Sequence, residues 1–372
     1  MRSFEGTRIK DMALKNRFIR SATWEGLADD RTGRILPRLI DLLTELAAGG
    51  VGLIVAGYAY VSEDGKANPY QTGIYDDDLI PDLSRLTASV HQAGGRIALQ
   101  IVHAGIMATG GFDGGEAPAG PSPVENPRSK VMAREMTAAE ITRVVDDFGA
   151  AAGRIKKAGF DAVQLHVAHG YLLSQFMSPF LNRRGDRYGG SRENRGRAVF
   201  EAYEAVRGAV GPNYPVMIKI NAEDFVEGGV ALEDSVFIAA RLAEMGLDAV
   251  EVSGGVLWAG RMGPSRTKIN EPDQEAYFRA QGEAFKAGVK APVILVGGLR
   301  SLDVNEDLLA RGQADYLALC RPFIREPDLI NRWAGGDASP AACISCNGCF
   351  KGVMDGRGIS CAVTEKARTS DG

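Results

Sequence analysis

Histidine is scarce in this chain: only His91, His103, His166 and His169 occur among 372 residues. A site that uses imidazoles must draw on nearly all of them, so their positions carry weight. An excess of charge of one sign is also missing. Lys and Arg number 43 against 47 Asp and Glu, a formal net charge of -4. That balance offers no basic surface to nucleic acid or to an anionic membrane. No run reaches the roughly 18 to 20 consecutive apolar residues that cross a bilayer. The N-terminal MRSFEGTRIKDMALKNRF lacks the apolar core of a secretory signal, so a cytoplasmic location is expected. Cysteine is sparse and unevenly spread. Cys320 stands alone, whereas Cys343, Cys346, Cys349 and Cys361 crowd into one short stretch. Thiols gathered like this in a chain without a secretory signal favour a metal or cluster over disulfides.

What the chain does have is rhythm. With 45% hydrophobic and 24% charged residues it can bury a large core. Short β-branched runs are expected as strands near Asn16–Ala22, Val51–Tyr58, Arg96–Val102, Asp161–His166, Pro215–Asn221, Ala249–Gly254, Pro292–Gly298 and Tyr316–Arg321. They alternate with amphipathic stretches, expected as helices over Leu36–Ala48, Leu79–Ala93, Ala138–Ala158, Arg195–Val210, Leu232–Glu244 and Glu275–Ala287. Thr137 and Glu140 read as a capping box. Eight strands separated by helices, with no early glycine fingerprint, point to a (β/α)8 barrel of the α/β class rather than an open doubly wound sheet.

Barrel enzymes place their chemistry on the loops after the strand C-termini. Two of those loops are long: His103–Met136, with the glycine- and proline-rich GGFDGGEAPAGPSP, and His169–Gly190, ending in RRGDRYGG. Long loops in a compact domain are usually functional. The tail after Cys361, AVTEKARTSDG, is polar and expected to fray at its end.

At the end of the barrel, VGGLRS (296–301) and LCRPFIREPDL (319–329) offer Gly297 and Gly298 for close backbone approach and Arg321 for bidentate pairing with a phosphate. That phosphate belongs to a substrate or to a cofactor; the motif does not choose. A plain turn and a surface ion pair are the bland alternative. In HVAHGYLLSQFMSP, His166 ends the fourth strand, with His169 and Tyr171 just beyond. Neutral imidazoles donate well to a carbonyl or flavin oxygen, and a phenol can protonate a carbanion. A structural histidine pair competes with that reading, as does zinc ligation completed by His103. Asn182, Arg183, Arg184, Asp186, Tyr188 and Arg195 read equally as a functional clamp or as scaffolding. The cysteine pattern, three thiols at two-residue gaps plus a returning fourth, suits a [4Fe–4S] cluster, with zinc as competitor.

NRFIRSATWEG, LQIVHAG, HVAHGYLLSQFMSP with RRGDRYGGSRENR, and the C-terminal cysteines together resemble the Old Yellow Enzyme family of flavin oxidoreductases. The best match is the branch with trimethylamine dehydrogenase and 2,4-dienoyl-CoA reductase. The resemblance runs from about the first strand to Cys361. It implies FMN across the barrel mouth, held over residues 1–335, and a cluster-binding extension over 336–372. By position it implies that Ser21, Ala22 and Thr23 run beneath the flavin with Trp24 near. Gly57 or Tyr58 and Gln100 would reach the ring, and Gly298, Cys320 and Arg321 would hold the phosphate. His166 and His169 would receive the activating group of a small-molecule substrate, and Tyr171 would deliver the proton. Lys219 stands where the family often has arginine, keeping the charge but losing the planar fork, and Cys320 replaces a usual small residue. Larger members continue into domains for a second flavin and a pyridine nucleotide, and no G-x-G-x-x-G unit marks such a domain here. The cluster is therefore expected to exchange electrons with a separate carrier protein, or else NAD(P)H reaches the flavin directly. Ene-reduction of an α,β-unsaturated carbonyl or thioester leads, ahead of amine or alcohol dehydrogenation. A flavin-free lyase or isomerase and an RNA reductase are more remote. A homo-oligomer is expected from the family.

Overall fold

The computed structural model describes residues 1–109 and 117–370. Eight parallel strands close on themselves in chain order: β1 (Phe18–Arg20), β2 (Leu53–Tyr60), β3 (Ile97–Val102), β4 (Ala162–Val167), β5 (Val216–Asn221), β6 (Ala249–Ser253), β7 (Val293–Val296) and β8 (Tyr316–Leu319). β8 pairs back onto β1, where Leu317 faces Phe18 and Leu319 faces Arg20. All eight expected strands are present. β1 is shorter than expected because Asn16 makes a turn, its Oδ1 accepting from Phe18 N and its Nδ2 donating to Gly50 O.

Eight helices follow these strands: α1 (Pro37–Ala48), α2 (Ile80–Gln92), α3 (Ala138–Lys157), α4 (Arg192–Val210), α5 (Leu232–Glu244), α6 (Arg279–Gly288), α7 (Leu302–Ala310) and α8 (Leu329–Ala334). α3 opens on the Thr137–Glu140 capping box and ends among Arg154, Lys156 and Lys157, where positive charge suits the helix dipole. α4 begins three residues before the expected start because Ser191 caps it, accepting from Asn194 N. α6 begins later than expected. Glu275 is drawn away to accept from Arg300 N, Ser301 N and Ser301 Oγ.

The strands alternate strictly. Outward residues such as Val163, Leu165, Ile218, Val250 and Leu295 pack beneath the helices. Inward ones form layers. The lowest contains Ile19, Leu53, Val55, Ala98, Ala162, Met217, Ala249 and Ile294, sealed from below by Ile9, Met12 and Leu14. Those last three belong to an antiparallel hairpin, Thr7–Ile9 with Met12–Leu14, which is not among the strands expected from the sequence. One register step higher the layer turns polar, and at the C-terminal rim it opens into a cavity.

The β3–α3 connection is tied down by a parallel bridge between Ala119–Gly120 and Arg134–Glu135. Residues 110–116 of its glycine-rich stretch lie outside the described residues. The chain beyond Cys361 does not fray at once; it forms a helix over Ala362–Ser370. Among the described residues no helix is long and apolar enough to cross a membrane.

Candidate active site

The barrel mouth holds a cavity of about 720 Å³. Of the residues expected to meet the flavin, its phosphate or the substrate, Ser21, Ala22, Thr23, Trp24, Tyr58, Gln100, His166, His169, Tyr171, Lys219, Gly298, Cys320 and Arg321 line it. Gly57 and Gly297 do not. Gly57 (φ 89) is the pivot of a register shift between Ala56 and Ala59 on β2, and this irregularity puts the Tyr58 ring in the mouth. Gly297 instead accepts from Tyr277 N and packs on that ring, while at Gly298 a Cβ would lie 2.9 Å from Tyr277.

The polar layer beneath the cavity is one connected network. Gln100 Nε2 donates to Gln164 Oε1 (2.7 Å), and Gln164 Nε2 donates to Glu251 Oε2 (2.9 Å). Lys219 Nζ donates to Ser21 Oγ (2.7 Å), whose hydroxyl donates to Glu251 Oε1 (2.5 Å). Lys219 and Glu251 also form a direct ion pair at 3.0 Å. Gln164 and Glu251 were missed in the sequence. The available signal was a polar residue at each inward position above Ala162 in AVQLHV and above Ala249 in AVEVS, strands otherwise apolar.

At the rim, the His166 and His169 rings stand edge to face, 5.0 Å between centroids. Burial holds both imidazoles well below the usual histidine value; the neighbouring His169 adds to this at His166, and the Lys219 charge adds to it at both. Both are neutral near pH 7. His166 Nδ1 accepts from Ala168 N, which leaves the proton on Nε2, and His169 Nε2 meets Ser253 Oγ at 2.8 Å. The Tyr171 ring lies 4.9 Å from His166, and its hydroxyl is 2.8 Å from that of Tyr58. Burial raises both phenols above the ordinary tyrosine value, Tyr58 strongly. His103 does not join this cluster. Its Nδ1 accepts from Gly105 N and its Nε2 faces Asp64 at 3.5 Å, so the three-histidine zinc arrangement does not form.

Asn182, Arg183, Arg184, Asp186, Tyr188 and Arg195 line no part of the cavity. Arg184 donates to Pro121 O and Met136 O and pairs with Asp186, while Asn182 ties Phe176 O to Tyr188 O. Arg195 holds Met177 O and Asp234. The RRGDRYGG segment is a clamp that fixes the two long loops to each other and to α4.

Where the last two strands end, Arg321 Nη1 donates to Asn347 Oδ1 (2.7 Å) and Arg266 O (2.8 Å). Arg300 lines the same wall, and its buried Nε has no partner among the described residues. That N–H is left to donate to a ligand or to water. An anionic group at this end therefore fits the residues present. Thr23 Oγ1 and Cys320 Sγ lie 2.7 Å apart, so the extra thiol is engaged rather than projecting freely.

The cysteine segment wraps onto the same cavity, where Ser345, Asn347, Phe350 and Met354 complete its wall. Cys349 is buried with Val353 and Ile359, Cys346 is exposed, and Cys343 and Cys361 are intermediate. Among the described residues no three His, Cys, Asp or Glu side chains converge as a metal-ligand set. As placed, the four thiols do not yet form a cluster site.

An eight-stranded barrel with a phosphate-ready rim, neutral donors and a phenol around one cavity defines a flavin oxidoreductase. The model of the NADH:flavin oxidoreductase / NADH oxidase family matches residues 3–338, and the chain belongs to that family. It is an enzyme of the Old Yellow Enzyme type, and FMN is the family's cofactor. It is 37% identical to an NADH oxidase of Thermoanaerobacter brockii, over 98% of this chain and 56% of that protein. It is 33% identical to a 4,4'-dithiodibutanoate disulfide reductase of Rhodococcus erythropolis, over 95% of this chain and 93% of that protein. Among solved structures, a 2-naphthoyl-CoA reductase bound to 2-naphthoyl-CoA superposes with a TM-score of 0.89 at 28% identity, covering 97% of this chain and 56% of that one. The chain thus spans a little over half the length of the NADH oxidase and of the naphthoyl-CoA reductase.

Proposed function

We propose that this chain is an FMN-dependent ene-reductase that takes electrons from NAD(P)H and reduces an α,β-unsaturated carbonyl or thioester. FMN, when bound, supplies hydride transfer between its N5 and a substrate carbon. The carrying observation is that two neutral imidazoles and one protonated phenol face a single cavity above a fixed positive charge. His166 and His169 would donate to the activating oxygen and draw charge from the adjacent double bond. Tyr171 would place its proton on the other alkene carbon. Lys219, neutralised by Glu251 in the resting site, would offer positive charge to the ring's electron-rich edge. Ser21, Ala22, Thr23 and Gln100 would support that ring, and Gly298, Cys320, Arg300 and Arg321 would hold the phosphate. Amine oxidation is the competing reading. It is disfavoured because no acidic side chain is among the described residues lining the cavity, whose charged groups are the cations Arg128, Lys219, Arg300 and Arg321.

We further propose that Cys343, Cys346, Cys349 and Cys361 close around a [4Fe–4S] cluster that would exchange single electrons with a carrier protein. Their spacing supports this, as does their confinement to one segment bordering the cavity; the thiols must draw closer together than they stand here. Iron and acid-labile sulfide near four per chain in anaerobically isolated protein would bear this out, and zinc without sulfide would replace it. For the main reaction, dithionite-reduced enzyme mixed anaerobically with 2-cyclohexen-1-one should recover its flavin absorbance. Reduced flavin that persists, with bleaching of oxidised enzyme by an amine instead, would overturn it.

A further inference from the structure

Tyr58 lines the cavity, and its hydroxyl joins a line of hydrogen bonds that follows the cavity wall toward the β3–α3 loop. Tyr58 and Tyr171 share one bond at 2.8 Å, Asn68 Nδ2 donates to Tyr58 Oη, and Arg128 Nη1 donates to Asn68 Oδ1 at 3.2 Å. Asn68 and Tyr58 are buried, whereas Arg128 comes from the long β3–α3 loop and is exposed at its outer end.

The direction of this line follows from chemistry alone. A guanidinium only donates, so the Asn68 oxygen must face Arg128 and its NH2 must face Tyr58. The Tyr58 oxygen then receives a proton, and its own hydroxyl hydrogen is left to point at Tyr171. Tyr171 accepts it, and its remaining hydrogen has no protein acceptor among the described residues. We infer that Arg128, Asn68 and Tyr58 form a polarised donor chain that aims the Tyr171 proton into the cavity and stabilises the phenolate left after its transfer. The inference rests on the reading of Tyr171 as proton donor. Asn68 and Arg128 are positioning residues, acting through Tyr58. Successive donors polarise one another, so the chain strengthens Tyr171 as an acid more than Tyr58 alone would. The proton balance is simple. Tyr171 loses one proton to the substrate carbon; Tyr58 keeps its own hydrogen and donates it as a hydrogen bond to the phenolate. A proton from solvent entering through the cavity restores the Tyr171 hydroxyl after product leaves, while Asn68 and Arg128 only orient and polarise the line.

Substitution at Asn68 separates this from a packing role. Asn68→Leu keeps the volume and cuts the chain. Asn68→Asp keeps shape and the Arg128 contact but accepts from Tyr58, so the chain reverses and Tyr171 is drawn to donate to Tyr58. Each variant is prepared with stoichiometric FMN and reduced with dithionite. The rate of flavin reoxidation by 2-cyclohexen-1-one should fall about tenfold in Asn68→Leu and about a hundredfold in Asn68→Asp. A packing role predicts the opposite order, since Asp is the closer isostere. Equal rates, or a faster Asn68→Asp, would overturn the chain. A second readout needs no substrate. Alkaline titration of tyrosinate absorbance, taken as the difference between enzyme with and without Tyr171→Phe, should move upward by about one pH unit in Asn68→Leu. The other titratable groups facing the pair are His166 and Arg128, and both are retained. An unmoved titration would sink the inference even where wild-type enzyme ignores the enone, and that latter failure would by itself remove only the proposed reaction.

Discussion

The ammonium group of Lys219 lies 3.0 Å from the carboxylate of Glu251, both side chains almost fully buried at the floor of the cavity. Neither charge would be tolerated alone. Breaking a buried pair from one side costs about 3 to 5 kcal/mol, because the remaining ion has lost its solvent and its partner. Glu251→Leu should therefore lower unfolding stability by roughly that amount, while Glu251→Leu with Lys219→Met should regain a good part of it. Denaturant midpoints across the double-mutant cycle check this; an additive double variant would show that the pair is uncoupled.

The depressed histidines set a pH dependence whose sign is fixed. Burial lowers the folded values of His166 and His169, so below about pH 6.5 the unfolded chain binds protons that the folded chain refuses. Stability that is fully present above that value is lost as the pH falls, by up to about 1.4 kcal/mol per pH unit for each histidine. His166→Asn should flatten the drop between pH 7.5 and 5.5 relative to wild type. An unchanged slope would mean that the imidazole is already charged in the native protein.

Tyr171→Phe should leave the flavin bound and slow its reoxidation by an enone by about 10² to 10⁴, the usual worth of a positioned acid. Stopped-flow traces after dithionite reduction measure it. Wild-type rates in this variant would assign the proton to solvent or to His166.

Gly26 takes a left-handed backbone (φ 61), and a Cβ there would lie 2.2 Å from Val353 Cγ1; at Gly358 a Cβ would meet Leu27 Cδ2 at 2.3 Å. Gly26→Ala should loosen the C-terminal segment from the barrel, at a cost of about 1 to 3 kcal/mol. Faster proteolytic cleavage within residues 345–361 would register it. Protection equal to wild type would show that the segment is held elsewhere.

The eight strands were legible because they are buried on both faces and many write themselves as near-continuous apolar runs. His166, His169 and Tyr171 were legible because they follow such a run directly. Other parts left weaker traces. The hairpin around Lys10 is too short and too charged to show alternation, and α7 and α8, at 9 and 6 residues, are too short to write a helical period. Glu251 and Gln164 were hidden inside strands whose apolar neighbours dominated the reading. Asn68 and Arg128 sit on loops far apart in sequence, and only folding brings their polar ends together. At Gly57 and Gly297 backbone geometry by itself demands glycine, a bulge in one case and a ring packed close in the other.

The cavity is bordered by Ser21–Trp24 at the end of β1 and by Ser345–Met354 of the C-terminal segment. Any molecule seated between them acts as a keystone. At a hundredfold excess over its dissociation constant a ligand adds about 2.7 kcal/mol to the folded state, and here part of that gain falls on the tail. Loss of the flavin and release of the cysteine segment should consequently be one event seen from two sides, so that protein stripped of its pigment becomes tender to proteases first at its C-terminal end.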